Sequence, residues 1–464
     1  MKASRGVLIV ALALLAIAAL RDFVRLGDAL PWRQLYDFAD FYCAGAALDG
    51  GADPYRYEPL HACEHRVNLN AAYQQDPARV VPAPLPPYDF PAFMLAARSS
   101  FSLARAIDAV AILLALALVI GAIALCGVPL EVAAFALLLP AGYVLLNAGQ
   151  VVPFALVALA ACGAALALQR DGVAGILAAL TLIEPHLGLP VCVALFFWAP
   201  RTRRCLTATI LALALLGLWT LGISGAGEYL GRVLPAQAAA ETGYVYQYSL
   251  TYLLRTFGAS PATALLLGEL SYLAALVAGV WLGGRVAKSL GRRELLAYLP
   301  AACSVVGGPY VHMVDLPFAI PAALVLATTL QGRSRNIAAV ALALLAVPWI
   351  PAWITKKLFL ASLFVVAAIL LRLRVKAPLA IGTFTAIAAT MYLFELAPPA
   401  PLAATSALFP PGALAQQAWQ EYVRRLGAAT PLWTAIKLPS WIALGALIAA
   451  ALGALRGGRS APRP

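Results

Sequence analysis

Two acidic residues near the start of the chain, Asp37 and Asp40, have the type and spacing for acid–base chemistry. If residues 33–48 form one short helix, Asp37, Asp40 and Ala44 share a face at i, i+3 and i+7, and both carboxylates point into the same cleft. A carboxylate within hydrogen-bond reach of a hydroxyl takes its proton as the oxygen attacks. The alternative is that one of the two is a solvated helix charge.

A histidine pair, His61 and His65, lies one helical turn apart with Cys63 and Glu64 between them. This spacing can hold a metal ion, but two histidines fall short of the usual set of zinc ligands. The sequence has no Walker loop, nucleophile elbow or zinc-protease motif. We therefore predict neither a metal site nor a cofactor.

The cysteines divide into two groups. Cys43 and Cys63 share the first long polar stretch, and a disulfide between them is our hypothesis if that stretch lies in an oxidising compartment. The others fall in or beside apolar runs and fit the role of small packing residues: Cys126, Cys162, Cys192, Cys205 and Cys303.

Most of the chain consists of apolar runs that must position these groups. Of its 464 residues, 62% are apolar and 12% are charged, a balance too apolar for a protein surrounded only by water. One helical crossing of a bilayer takes about 20 apolar residues, and half-helices take fewer. The runs predict an all-α polytopic membrane protein of about 12–14 transmembrane or re-entrant helices, near 6–20, 106–126, 130–146, 151–168, 172–183, 188–199, 205–223, 261–284, 295–306, 314–330, 336–351, 357–371, 377–393 and 438–455.

The net charge of +12 orients this bundle rather than indicating nucleic-acid binding, because the basic residues punctuate the apolar runs instead of forming one patch. The first run has a basic flank but no small-residue cleavage site, which predicts an uncleaved anchor with the N-terminus inside. The C-terminus then also lies inside. The inner connections collect Lys2, Arg5, Arg170, Arg201, Arg203, Arg204, Arg285, Lys288, Arg292, Arg293, Arg333, Arg335, Arg372, Arg374, Lys376, Arg456, Arg459 and Arg463, whereas only one short outer turn is basic, with Lys356 and Lys357.

This orientation places three long stretches outside, residues 21–105, 224–260 and 394–437, together with turns at 147–150, 184–187 and 307–313. All four histidines and most carboxylates fall there, as expected for a catalytic cleft at the outer membrane surface. A transporter would place ionisable groups near the midplane and show an internal repeat. No such repeat is present, and Glu269 is the only acidic residue well inside a predicted span. The outer aromatic residues suit short helices at the headgroup level or simply an interfacial belt.

Five segments in this order resemble a known family: YDFADFYCAGAALDGGADPYRYE, NAGQVVPFALVAL, AGILAALTLIEPHLGLPV, QYSLTYLLRTFG and GGPYVHMVDLPFAIP. The order is similar to that of the polyprenol-phosphate-mannose-dependent mannosyltransferases of glycosyltransferase family 87, in the GT-C superfamily. The resemblance covers roughly residues 5–330, and the remainder is compatible with it.

The resemblance implies a single membrane-embedded GT-C-type domain over residues 1–464 in a bacterial inner (plasma) membrane. It implies a hexosyltransferase that moves a sugar, by analogy mannose, from a polyprenyl-phosphate donor to a glycan or glycolipid acceptor at the periplasmic or extracellular face. Transfer would invert the anomeric centre. The lipid-linked donor is a substrate, so this chemistry requires no cofactor.

Carried over by position, the family's catalytic aspartate matches Asp37, with Asp40 as the fallback. The residues that follow it include an aromatic pair, which makes Tyr42 a substrate-binding candidate. A sugar hydroxyl is a poor nucleophile until such a carboxylate takes its proton. The lipid phosphate is already a good leaving group, so a second carboxylic acid is not needed, unlike in glycoside hydrolysis.

Two further motifs supply binding candidates. The family pattern places a histidine or aromatic residue at His312 and an aspartate at Asp315, where His312 would contact the donor phosphate or the acceptor, or simply form a polar helix start. Asn147 and Gln150 match a glutamine-containing turn, and they either line the cleft or cap the next helix.

The sequence departs from the family at Glu184, where many relatives carry a lysine before proline. A lysine there would contact phosphate, so Glu184 inverts the local charge and leaves the donor open. The possible replacements for that cation are Arg255, Arg232 and His186.

Three alternatives stay open at this point. One is a GT-C transferase of a different sugar, such as a pentose or an aminosugar, because pocket contacts rather than motifs set sugar selectivity. The second is a lipid or polyisoprenoid transporter. The third is a membrane scaffold without catalysis, for which the Glu184 departure is the best argument.

Overall fold

The computed structural model describes residues 10, 13–21, 35–67, 76–355, 358–397 and 408–457. Residues 13–21 are helical. The later helices are α1 Phe38–Asp49, α2 Tyr57–Val67, α3 Phe90–Ala97, α4 Phe101–Leu125, α5 Leu130–Ala148, α6 Val152–Ala167, α7 Asp171–Leu180, α8 Pro185–Trp198, α9 Arg203–Glu228, α10 Leu234–Ala240, α11 Leu250–Thr256, α12 Pro261–Leu290, α13 Leu295–Ser304, α14 Ile320–Thr329, α15 Gly332–Leu345, α16 Trp349–Ile354, α17 Leu358–Arg372, α18 Ala377–Glu395, α19 Ala415–Leu426, α20 Pro431–Ala435 and α21 Leu438–Gly457.

The molecule is an all-α polytopic membrane protein, as predicted. Within the described ranges, six helical segments are long and apolar enough to cross a bilayer: Phe101–Leu125, Leu130–Ala148, Pro200–Gly243, Pro261–Leu290, Ala377–Glu395 and Pro431–Arg456. Several predicted runs form apolar helices of 10–17 residues instead. Over the same part of the chain, extended backbone pairs only at two isolated bridges, Arg56 with Leu414 and Gln247 with His312.

The helices pack most closely where small residues let the backbones approach. Gly279 of α12 faces α13, and a Cβ added there would lie 2.8 Å from the Cβ of Cys303 and 3.1 Å from the Cα of Pro300. Such small-residue contacts hold membrane helices together, because lipid offers no hydrophobic gain for their association. The four free cysteines that are buried, Cys126, Cys162, Cys192 and Cys303, lie in this packed interior.

The connections predicted to share the inner side contact one another. Arg293 forms an ion pair with Asp171, and Arg372 forms one with Glu131. Arg335 donates a hydrogen bond to the carbonyl of Leu373. These contacts join turns that are distant in sequence at one end of the bundle. The outer turn with Lys356 and Lys357 lies outside the described residues.

At the opposite end, α1, α2 and α3 form a compact cap. The hypothesised disulfide is present: Cys43 of α1 is bonded to Cys63 of α2, with Cα atoms 5.6 Å apart. Gly45 lets α1 lie directly against α3, since a Cβ there would approach the carbonyl carbon of Phe93 to 2.4 Å.

One predicted boundary is wrong. The helix expected over 33–48 begins only at Phe38, so Asp37 precedes it and Asp40 lies in its first turn. The reason is a long-range contact. The backbone N–H groups of Tyr36 and Asp37 donate to the carbonyls of Asn147 and Ala148, at 3.2 and 2.8 Å, which holds this segment against the end of α5.

Candidate active site

A cavity of about 710 Å³ opens beside the cap formed by α1, α2 and α3. The described residues that line it come from stretches distant in sequence, within 36–41, 79–86, 143–151, 183–186, 229–246, 309–314 and 351–355, together with Trp419. Each stretch lies in or directly beside a connection predicted to face outside. The fold therefore gathers the polar residues of the predicted outer connections into one site.

Asp37 is positioned by the turn that ends α5. Gln150 donates a side-chain hydrogen bond to Asp37 Oδ2. Gly149 permits the approach, because its φ of +69° is left-handed and an added Cβ would lie 2.9 Å from the Cβ of Leu35. The glutamine-containing turn predicted at Asn147 and Gln150 is thus the turn that holds Asp37. Asn147 lines the cavity too, and its Oδ1 is buried without a hydrogen-bond partner in the described residues.

Burial raises the pKa of the Asp37 carboxyl above its ordinary value. The hydrogen bond from Gln150 and the nearby charges of His312 and Arg79 oppose this rise, and the charge of Glu241 adds to it. A carboxylate that is partly desolvated but still held by donors is a stronger base than a solvated aspartate.

Asp40 lines the same cavity from the first turn of α1 and is only 1% exposed. The expectation that both carboxylates reach one cleft is met, although Asp37 precedes the helix that carries Asp40. Asp40 is not a solvated helix charge. It lies deeper than the partly buried Asp37.

His312 is tied to a glutamate that sequence reasoning missed. Its Nε2 lies 3.1 Å from Oε2 of Glu241. The other carboxylate oxygen, Oε1, accepts hydrogen bonds from Trp419 at 2.6 Å and from Gln237 at 3.1 Å. Burial lowers the pKa of His312, but the charge and hydrogen bond of Glu241, helped by Asp315 and Asp37, outweigh it and raise the pKa overall. The site thus favours a charged imidazolium at this position.

A second histidine is held similarly. Nε2 of His186 lies 3.2 Å from Oδ2 of Asp315, and its Nδ1 lies 3.7 Å from the Glu184 carboxylate. The same Asp315 oxygen accepts the backbone N–H of His312 at 2.7 Å. His186 and Glu184 line the cavity, whereas Asp315 lies behind them and links the two histidines. Burial raises the pKa of Glu184, and the charge of Asp315 adds to this.

Arg79 is the second residue that sequence reasoning missed. It is the only arginine or lysine among the described residues that line the cavity. The signal available in the sequence was its place in DPARVVPAPLPPYD, a Pro-rich outer segment of the kind that forms a rigid, extended wall.

Several candidates lie elsewhere. Tyr42 donates its hydroxyl to the carbonyl of Ser99 at 2.9 Å, outside the cavity. Arg255 donates to the carbonyl of Ala259, and Arg232 is two-thirds exposed beside Glu228, so neither of them reaches the site. His61 and His65 contact backbone carbonyls, and in the described part of the chain no three potential metal ligands cluster.

Aromatic rings form a continuous wall around His312. Tyr310 stacks on the imidazole with ring centres 4.7 Å apart, and Tyr244 lies 5.7 Å from it. Tyr244 in turn contacts Tyr246 and Trp419. A pocket with such rings and a few convergent polar groups is typical of a small-ligand site.

Comparisons of the chain with protein-family models, with curated proteins and with solved structures find no match.

Proposed function

We propose that this protein is an inverting glycosyltransferase that moves a hexose such as mannose from a polyprenyl-phosphate donor to a glycan or glycolipid acceptor. The observation that carries the proposal is Asp37, a carboxylate of raised pKa that Gln150 holds in a large cavity beside two charge-paired histidines and one guanidinium. The order of motifs that resembles glycosyltransferase family 87 supports the same assignment.

The proposed reaction needs only one base. Asp37 takes the proton of the acceptor hydroxyl while that oxygen bonds to the anomeric carbon. The bond from this carbon to the phosphate oxygen breaks, and the polyprenyl phosphate leaves with the electron pair and needs no proton. The leaving phosphate gains negative charge, which nearby cations stabilise. His312, whose pKa is raised, suits that role.

The Cys43–Cys63 disulfide supports an outer location for this site. Disulfides persist in oxidising compartments, and this one joins the helix that follows Asp37 to its neighbour. With the basic inner connections, it favours an N-in, C-in chain in a bacterial inner membrane whose cavity faces the periplasm or the exterior.

A second candidate, transfer of an aminosugar, rests on Glu184. This residue lines the cavity, at the position where many members of the family that the sequence resembles carry a lysine. A carboxylate there can accept hydrogen bonds from a sugar ammonium group. Glu184→Lys is then expected to lower turnover of an aminosugar donor and spare a neutral hexose donor. Equal turnover of every donor by wild type and variant would show that Glu184 does not select the sugar.

The test of the proposed function is donor consumption. Purified protein in lipid nanodiscs is incubated with a panel of polyprenyl-phosphate sugars and a bacterial glycolipid extract, and the lipids are followed by mass spectrometry. We expect one donor to be converted to polyprenyl phosphate. Its sugar should appear on an acceptor, with the anomeric configuration opposite to that in the donor. Movement of intact donor across the bilayer without cleavage would instead indicate a transporter.

A further inference from the structure

The cavity has an uneven charge distribution. The acidic groups that line it are Asp37, Asp40, Glu184 and Glu241, whereas Arg79 is the only lysine or arginine among its described lining residues. Both arginines suggested by the sequence lie outside it. A ligand with a permanent negative charge therefore has one obvious permanent countercharge in the described wall.

The guanidinium of Arg79 is held in a defined orientation. Nη1 donates to the hydroxyl of Tyr422 at 2.9 Å, and the guanidinium carbon lies 4.6 Å from the centre of that ring. The ring of Trp419 lies 5.9 Å from the same carbon. A planar guanidinium whose orientation is fixed can bind phosphate through two parallel hydrogen bonds.

Helix α2 also holds the backbone around Arg79. His65 contacts the carbonyl of Arg79 at 2.9 Å, and His61 contacts that of Pro77 at 2.7 Å. Tyr57 donates its hydroxyl to the Ala78 carbonyl at 3.2 Å. The histidine pair that suggested a metal by its spacing thus fixes the segment that carries Arg79.

The same segment continues as an apolar wall. Directly after Arg79, the lining residues are Val81, Pro82, Pro84, Leu85 and Pro86. A cation followed by a rigid apolar strip matches a ligand that has an anionic head and a hydrocarbon tail.

We propose that Arg79 binds the phosphate of the lipid donor, with the adjoining Val81–Pro86 wall against the first units of its chain. This inference rests on the proposed function and assigns its anion subsite. Arg79 and Asp37 line the same cavity, so a donor phosphate bound to Arg79 would bring the sugar carbon towards the base.

The test is equilibrium binding to purified protein in nanodiscs, with a long-chain polyprenyl monophosphate, the matching prenol without phosphate, and inorganic phosphate as separate probes. Wild type is expected to bind the monophosphate most tightly. Arg79→Gln should weaken that binding about 10- to 100-fold and leave the prenol unchanged, because it removes charge-assisted hydrogen bonds. Arg79→Lys should lose less, since it keeps the charge but not the planar fork.

Two further variants make the result specific. Arg66→Gln removes an exposed arginine from α2 and should bind as wild type does. Tyr422→Phe keeps the stacking ring but not the hydroxyl that orients the guanidinium, and a loss of a few-fold is expected. Melting temperatures show which variants are folded. If Arg79→Gln does not fold, the test rests on Arg79→Lys and Tyr422→Phe. If both of these variants bind the monophosphate as tightly as the wild type does, the inference is overturned.

The remaining outcomes separate the two proposals. If the wild type binds the monophosphate and Arg79→Gln binds it equally tightly, the anion subsite is overturned but the proposed function stands. If inorganic phosphate binds as tightly as the polyprenyl monophosphate, the proposed contact of the Val81–Pro86 wall with the lipid chain is overturned. No binding of monophosphate by the wild type overturns the proposed function together with this inference.

Discussion

Gln150 contributes to both the position and the pKa of Asp37. Its hydrogen bond lowers the pKa of the Asp37 carboxyl, as the charges of His312 and Arg79 do, while burial raises it. A change at Gln150 should therefore alter the basicity of Asp37.

Asp37→Asn keeps the shape of the side chain but cannot accept a proton. Turnover is expected to fall by about 10²- to 10⁴-fold, whereas donor binding survives. Asp40→Asn should have a milder effect. Asp49→Asn, which changes an aspartate of α1 paired with the exposed Arg98, is the matched control. Single-turnover assays measure all three, and loss of activity in Asp40→Asn alone would assign the base to Asp40.

The pH profile follows from the same contact. Only the ionised form of Asp37 accepts a proton, so activity falls as the pH drops through its raised pKa. Gln150→Leu removes a hydrogen bond that favours the ionised form, and the acid limb should move to higher pH by about one unit. The dependence of kcat on pH measures this shift, with Asp49→Asn as the unshifted control. If the acid limb of the kcat profile stays at the same pH, Gln150 does not influence the pKa of the base.

At the scale of elements, α1 and α2 act as one unit. The disulfide joins them, and α2 in turn holds the Arg79 segment through Tyr57, His61 and His65. A change in how the two helices are joined is therefore transmitted to both the base and the guanidinium.

Cys43→Ser with Cys63→Ser removes the cross-link between residues 20 apart in sequence. The free energy of unfolding is expected to fall by about 2–4 kcal/mol, since the cross-link constrains the unfolded chain. Cys205→Ser, at a half-buried free thiol, is the control and should change stability little. Thermal unfolding in nanodiscs compares them, and intact mass with alkylation counts the thiols. Two alkylated thiols at 43 and 63 in the wild type would contradict the cross-link.

At the scale of the whole molecule, polar contacts separate to the two ends of the bundle. Ion pairs such as Arg293 with Asp171 join turns at one end, and the cavity gathers the catalytic candidates at the other. This separation is what a membrane imposes on a chain whose ionisable groups avoid its core.

Cysteine labelling tests which end faces out. Gly412→Cys places a thiol at an exposed position on the cavity side, and Arg333→Cys places one at the basic end. In a background with Cys205→Ser, an impermeant maleimide should label the first in intact cells and the second only after permeabilisation. The reverse pattern would put the cavity inside the cell.

The apolar runs could be predicted from the sequence, because the length of an apolar run is a local property that the bilayer selects. Most of the predicted runs after the first correspond to helices with ends a few residues away, but the run 336–351 covers the end of α15, a break and the start of α16. The sequence also predicted which connections meet at each end of the bundle, since alternate connections of membrane-spanning helices lie on the same side.

Which side chains meet depends on the tertiary structure. Asp37 and Gln150 are 113 residues apart, and His312 and Glu241 are 71 apart, so no local pattern predicts either contact. The same folding placed Tyr42, Arg255 and Arg232 outside the cavity and Arg79 inside it. These outcomes depend on how the bundle packs, because a side chain can join a site only when helices from distant parts of the chain bring its segment there.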